Sequence, residues 1–440
     1  MGALRDRLRG LLGVSLYRNA GYLTLTSGTN SLAGFVFWAV AARLYPAEGV
    51  GLASAAISAM GLLALLSTLG LDYGLIRFLL GSGDRARSIL NSCLTLGGVV
   101  AIALAAIFLA GLKVWSPALL RVQENPVFFV SFLLFALAAV LRCFAERAFI
   151  ATRKSGFTLV QGLVFGLLRF IPLVVLAPSF QVFGIFASWG IGLGLAVTVS
   201  IPFLLPRIQP GYRPEPAIDR KAIGDMMRFS FANYAANILW AVPILILPIM
   251  VVNLLGAEAN AYFYIGWALG YLLVSIPLTV SLSLFAEGSH LEENMSREIG
   301  RSLKLVLLLV PVIGIVFLLG EKVLALFGTA YAENATTLLW VLAVTAIPAG
   351  LNHTYFTVRR VQKRMRSVVG LSAFIAVVTL ALSFLLLPRM GIVGVGIGWL
   401  IPQTVVAIVV TPALYRWRQH TLPQPEEQGR PVYEKGMITN

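Results

Sequence analysis

The chain aligns with itself. At a constant offset of 210 positions Ala47 and Glu48 fall on Ala257 and Glu258, Pro178 on Pro388, Gly184 on Gly394, Trp189 on Trp399, and Pro202 on Pro412. Arg153 and Lys154 fall on Lys363 and Arg364. A tryptophan, two prolines and a glycine in one ungapped register point to duplication, so residues 21–210 and 231–420 read as two copies of one unit. An even number of membrane crossings per copy starts both on the same side, which relates the copies by a pseudo-twofold axis along the membrane normal, a plan common among transporters.

Hydrophobic residues make up 58% of the chain and charged ones 12%, with a mean hydropathy of +0.86. No soluble interior accommodates that much apolar surface. A helical crossing of the hydrocarbon layer takes about 20 apolar residues. Such stretches occur at 22–42, 49–71, 89–111, 126–146, 155–177 and 183–205, and again at 229–252, 261–285, 302–320, 335–357, 367–387 and 392–414. The expected fold is all-α: a polytopic membrane protein of twelve transmembrane helices in two six-helix bundles, 21–205 and 229–415. Around them, residues 1–20 read as an amphipathic interfacial helix, because Leu4, Leu8, Leu11 and Leu12 recur at helical spacing among Arg5, Arg7 and Arg9 without a small-residue cleavage site. Residues 206–228, with Pro206, Pro210, Pro214 and Pro216, read as a cytoplasmic linker, and the Pro/Glu-rich residues 416–440 as a disordered tail.

Lysine and arginine set the orientation. Five of the 34 lie in odd-numbered loops (Arg43, Lys113, Arg121, Lys322, Arg389), one, Arg169, lies inside a span, and the rest sit at the termini and even-numbered loops. Basic loops stay cytoplasmic, so both termini are expected inside. The net charge of +15 thereby faces anionic lipid at helix ends and does not call for nucleic acid.

Chemistry is sparse. Cys93 and Cys143 fall within predicted helices, His290, His353 and His420 stand singly, and no phosphate-binding glycine loop ending in Gly-Lys occurs. No metal site, no cofactor and no catalytic group is expected, and external loops of at most about 15 residues leave no room for an enzymatic domain.

Three segments carry a family resemblance: Ala42-Arg43-Leu44-Tyr45-Pro46-Ala47-Glu48-Gly49-Val50-Gly51 leading to Leu69-Gly70-Leu71 and Arg77; Leu326-Phe327-Gly328-Thr329-Ala330-Tyr331; and Gly391-Ile392-Val393-Gly394-Val395-Gly396. In this order they resemble the polysaccharide-biosynthesis flippases, the lipid-linked oligosaccharide branch of the multidrug/oligosaccharidyl-lipid/polysaccharide exporter superfamily. The resemblance implies two bundles around a central cavity. It implies a bacterial inner-membrane protein that moves undecaprenyl-pyrophosphate-linked oligosaccharide to the periplasmic leaflet by alternating access, for O-antigen, lipopolysaccharide or exopolysaccharide assembly. It also implies polymerase and chain-length proteins as partners.

Arg169 is the sharpest candidate for substrate binding. An arginine in a span costs about 2.5–3.5 kcal/mol on insertion scales unless it meets protein or water. Its repeat partner is Thr379, so the charge belongs to one half. Two readings stand: a planar fork for phosphate or acidic sugar, or an arginine paired to a neighbouring carbonyl or snorkelling outward. Arg77, Arg142 and Arg147, with Asp72 and Glu146 beside them, mark the cytoplasmic ends of helices 2 and 4, where Arg142 and Glu146 are also i,i+4 neighbours. Ser27, Asn30, Ser31 and Gly34 are expected on one face of helix 1, opposite Asn233 and Asn237 of helix 7, either lining a sugar path or bonding between helices. Trp38 and Trp240 suit sugar stacking or interface anchoring. Pro243 and Pro248 lack counterparts in the first copy and mark a candidate hinge in helix 7.

Two other functions fit a chain of this class. A cation-coupled multidrug exporter needs an embedded carboxylate, and helix 1 holds no Asp or Glu. A scaffold needs no arginine at membrane depth.

Overall fold

The computed structural model describes residues 15–83, 85–120, 126–177, 180–288, 295–362 and 364–420. Every regular element among them is helical. Lipid supplies no hydrogen bonds to the backbone, and a helix satisfies its own. The expected interfacial helix at 1–20 lies outside the described residues up to residue 14, and α1 (Ser15–Leu44) begins there. It is followed by α2 (Ala47–Ser67), α3 (Leu71–Phe78), α4 (Arg85–Ala110), the short α5 (Leu112–Trp115) and α6 (Pro126–Ala151). Next come α7 (Ser155–Leu168), α8 (Phe170–Leu176), α9 (Gln181–Val199), a wide turn at Ser200–Leu204 and the short α10 (Leu205–Ile208). The remainder forms α11 (Arg220–Leu255), α12 (Ala257–Gly288), α13 (Met295–Ala325), α14 (Thr329–Val361) and α15 (Met365–His420).

Nine stretches among the described residues are long and apolar enough to cross a membrane. The protein is a multi-pass helical membrane protein. One of the nine, Met365–Arg418, contains Gly391 at φ 58°, ψ −150°, which breaks α15 in two. α1 is not among the nine, because Thr24, Thr26, Ser27, Thr29, Asn30 and Ser31 lower its hydropathy. Several helix boundaries recur at the offset of the sequence repeat. α2 and α12 open at Ala47 and Ala257, α7 and α15 at Ser155 and Met365, and the break at Gly391 corresponds to Gln181, the first residue of α9.

Two boundaries differ from expectation. α11 starts at Arg220, inside the expected 206–228 linker, because Asp219 caps it: Oδ1 accepts from the Ala222 N–H at 3.0 Å. The connection before it is an extended strap along α4. Arg87 meets Glu215 at 2.6 Å, Arg85 meets Asp219 at 2.9 Å, Asn91 donates to the Arg213 carbonyl, and the Ala217 and Asp219 amides donate to Thr95 and Ser92. At the other end of the sequence, α15 continues into the expected 416–440 tail as far as His420; residues 421–440 lie outside the described residues.

The α1–α10 and α11–α15 portions meet mainly through α2. At the end opposite the strap, Gly51 lies so close to α12 that a Cβ there would come within 1.7 Å of the Ala257 carbonyl oxygen. Asn260 of α12 donates to the Gly51 carbonyl at 2.7 Å and to Ser54. Arg43 donates to the carbonyls of Ala325 and Leu326, and Asn253 ties α11 to the Trp115–Ala118 turn. Nearer the strap, α2 ends in a left-handed pair, Leu69 and Gly70. Tyr234 of α11 docks into that break, its hydroxyl donating to the Leu66 carbonyl at 2.8 Å, where a Gly70 Cβ would stand 3.0 Å from its own. α2 thus packs along both α11 and α12, whereas α1 and α12, the pair that a twofold would make equivalent to α11 and α2, touch only locally among the described residues.

Candidate functional site

Arg169 sits between α7 and α8. Pro172 lacks an N–H and crowds the carbonyl four residues earlier, so α7 stops at Leu168 and the guanidinium projects from the junction. It is 1% exposed. Its Cζ lies 4.5 Å from the ring centre of Phe37 on α1, 4.6 Å from Phe165 on α7 and 4.6 Å from Trp189 on α9. Gly192 of α9 makes room, since a Cβ there would lie 2.9 Å from that of Arg169. Three cation–π contacts at roughly 0.5–2 kcal/mol each offset an insertion cost of about 2.5–3.5 kcal/mol. Hydrogen bonding is left unmet, because Nε and Nη1 have no acceptor. Each buried, unmet donor costs about 1–3 kcal/mol. The cage therefore holds the charge without saturating its fork.

The Phe165 ring serves a second arginine. Arg142 of α6 places its Cζ 4.9 Å from that ring and lies 3.7 Å from Glu146. Arg147 pairs with the buried Asp72 at 3.7 Å, with its Cζ 5.9 Å from the Tyr73 ring. Arg77 is exposed and stands 5.7 Å from the Phe229 ring of α11. The structure thus brings Arg142 to Arg169 and Asp72 to Arg147, with Arg77 apart, rather than one cluster.

Between α1 and α12 lies a cavity of about 170 Å³, lined by Ser31, Gly34, Trp38, Ala268, Leu269 and Phe327 among others. Trp38 closes its end toward the cage: it is 4.7 Å from Tyr264 of α12 and 6.1 Å from Trp189. Phe35 against Phe327 at 5.2 Å joins α1 to the α13–α14 turn. Beyond them, the Arg43 bonds shut that end.

The expected single polar face of α1 is divided. Ser31 and Gly34 line the cavity toward α12, Ser27 is exposed, and Asn30 turns to α7, its Oδ1 3.1 Å from where a Gly162 Cβ would be. The reason is angular: at 100° per residue Asn30 and Ser31 point into neighbouring gaps. Asn233 and Asn237 are half-buried on α11. Pro243 and Pro248 are both buried inside α11, which stays helical through them. Trp38 belongs to the core, and Trp240 packs 4.5 Å from His353 and 5.6 Å from Trp399.

Phe37, Phe165, Trp189 and Tyr264 were not singled out as site residues by the sequence. Trp189 carried a signal as the repeat partner of Trp399, but its role depends on an arginine that only one copy contains. Asn352, His353 and Gln403 form a buried polar group in the α14–α15 region, where Asn352 donates to Gln403 at 2.7 Å. No cluster of His, Cys, Asp and Glu suited to a metal occurs among the described residues.

Solved structures share the fold. The lipid II flippase MurJ in an inward closed conformation superposes with a TM-score of 0.73 at 10% identity, covering 90% of each chain. An inward-facing multidrug resistance MATE family transporter of the MOP superfamily gives 0.66 at 13% identity, over 89% of this chain and 95% of that one. A MOP superfamily transporter from Pyrococcus furiosus, titled for the reverse polarity of its binding pocket, gives 0.62 at 13%, over 92% and 96%. No curated protein matches the chain. The family model for polysaccharide biosynthesis proteins matches residues 16–287, more than half of the chain. That match, over more than half of the chain, leads to one conclusion: the chain belongs to the polysaccharide biosynthesis protein family.

Proposed function

We propose that the protein flips an undecaprenyl-pyrophosphate-linked oligosaccharide across the bacterial inner membrane, from the cytoplasmic to the periplasmic leaflet, for surface polysaccharide assembly with polymerase and chain-length partners. Arg169 carries the reading. A buried guanidinium held by three rings, with Nε and Nη1 open, suits an anionic group that arrives and leaves, since phosphate can take the donors that the rings cannot. Asp72 is the buried carboxylate among the described residues, and it is paired with Arg147 at 3.7 Å through Oδ2, whereas a drug–cation exchanger uses an acid without such a partner.

The architecture in this proposal is two six-helix repeats, counted by splitting α15 at Gly391 and adding α1 and α12 to the apolar spans. The strap end faces the cytoplasm, following the basic loops. The cargo enters between α1 and α12, so that its polyprenyl tail stays in lipid while the head group passes the polar residues of α1. Arg142 and Arg169, which share the Phe165 ring, receive the pyrophosphate. Ser27, Asn30, Asn233 and Asn237 offer donors to sugar hydroxyls. The outer seal at Arg43 then opens.

Complementation of a flippase-null strain, normalised to membrane protein level, tests the proposal. Arg169→Ala should abolish glycan export at normal abundance. Arg169→Lys, which keeps charge but loses the bidentate fork, should retain part of it. Normal export by the Ala variant removes Arg169 from the path.

A further inference from the structure

The flank of α1 that faces α7 forms a second feature, separate from the cavity toward α12 and bordered by Asn30. At the strap end, Asn19 and Tyr22 of α1 and Arg153, Lys154 and Phe157 at the α6–α7 turn line an open cavity of about 400 Å³. Farther along the same seam, Ala33 and Val36 face Gly162, Gly166, Leu167 and Phe170 across a groove of about 270 Å³. From Tyr22 to Val36 the seam runs about 21 Å at 1.5 Å per residue. That exceeds the roughly 15 Å depth of one hydrocarbon leaflet. Its mouth is basic and polar, and its length is apolar with a floor of two glycines, apart from Thr29 and Asn30.

The mouth is shaped by an uncommon backbone. Arg153 is one of two non-glycine residues at positive φ, 56°, among the described residues, which turns its exposed side chain outward beside that of Lys154. Lys154 Nζ reaches the Arg207 carbonyl at 3.4 Å, a contact that leaves two of its three donors for a ligand. The Ser155 amide is already used by the Asn19 side chain, so the basic side chains and not the helix terminus give the mouth its character.

We infer that this seam binds one anionic phospholipid of the leaflet at the strap end, its phosphate at Arg153 and Lys154 and one acyl chain between α1 and α7. Charge complementarity selects the head group, because the two adjacent cations lie at head-group depth where an apolar groove begins. The bound chain braces α1 from the gap next to the one that faces α12.

Native mass spectrometry of the detergent-purified full chain tests the assignment, using phosphatidylglycerol and phosphatidylcholine of equal chain length. The wild type should retain a single phosphatidylglycerol adduct about 30-fold more tightly than phosphatidylcholine, from roughly 1 kcal/mol per basic residue near an anionic surface. Inorganic phosphate should not displace it. Arg153→Gln with Lys154→Gln should erase the preference between head groups, while Thr29→Trp, which fills the groove, should weaken both lipids alike; thermal unfolding checks that each variant is folded. Equal retention of the two lipids by the wild type overturns the inference whatever the variants do. So does displacement by free phosphate, stronger retention of a polyprenyl phosphate, or an unchanged preference in the folded double variant.

Discussion

A charge inside a membrane protein is informative because it needs a reason to be there. For Arg169 the energies do not close: the rings of Phe37, Phe165 and Trp189 offset insertion, and two N–H groups remain unmet. Gly192 is the residue that makes the cage possible. Gly192→Ala would push a Cβ to 2.9 Å from that of Arg169 and 3.2 Å from the Phe165 carbonyl oxygen. Overpacking of this kind costs about 1–3 kcal/mol. The variant should unfold at lower temperature and lose export more than its abundance falls, measured by thermal unfolding beside complementation. Export in proportion to abundance would detach Gly192 from the site. The need for a partner at Arg169 was legible in the sequence from insertion cost alone. The cage was not: Phe165 lies one turn before Arg169, but Phe37 and Trp189 come from other helices, and phenylalanine in so apolar a sequence gives no signal of its own.

At the scale of elements, ends and breaks matter more than spans. Leu69-Gly70-Leu71, one of the family-like motifs, is where α2 stops in a left-handed turn and receives Tyr234. Asp219 joins the strap to α11, an end that the four prolines of 206–228 conceal in the sequence, because a capping aspartate looks like any other aspartate there. The Ala222 N–H and then Arg85 donate to its carboxylate and hold it below the usual carboxylate range. The sign follows: the bonds stabilise fully above the unfolded value of about 3.9, and the contribution fades as pH falls through the lower folded value. Proteolysis of the strap should therefore accelerate on acidification in the wild type, whereas Asp219→Asn should be cut faster at neutral pH and lose that acid dependence. An unchanged profile in the variant would show that Asp219 does not hold the strap. In the same helix, Pro243 and Pro248 free backbone carbonyls near one another without ending α11. Replacing both by alanine should slow export several-fold at equal abundance if bending there accompanies transport. Export at the wild-type rate would remove the hinge.

The whole molecule is asymmetric in a way that the residue matches at an offset of 210 conceal. Helix boundaries repeat at Ala47 and Ala257 and at Ser155 and Met365, yet α2 lies along α11 while the equivalent α1 and α12 part around a cavity. The apolar stretches and the strong polarity of α1 were readable from the sequence, because hydropathy depends on residues near in sequence. Which seam closes was not, since it depends on single contacts such as Gly51 against Ala257 and Arg43 on the Ala325 and Leu326 carbonyls. The central claim is that an anionic lipid-linked glycan crosses by way of Arg169. Its most direct test is translocation of a fluorescent polyprenyl-diphosphate oligosaccharide in proteoliposomes, alongside the same glycan on an uncharged lipid. Wild-type protein should move the diphosphate form and not the uncharged one, and Arg169→Ala protein, reconstituted to the same density, should move neither. Equal transport of the two lipids, or diphosphate transport undiminished in the Ala variant, would contradict the account.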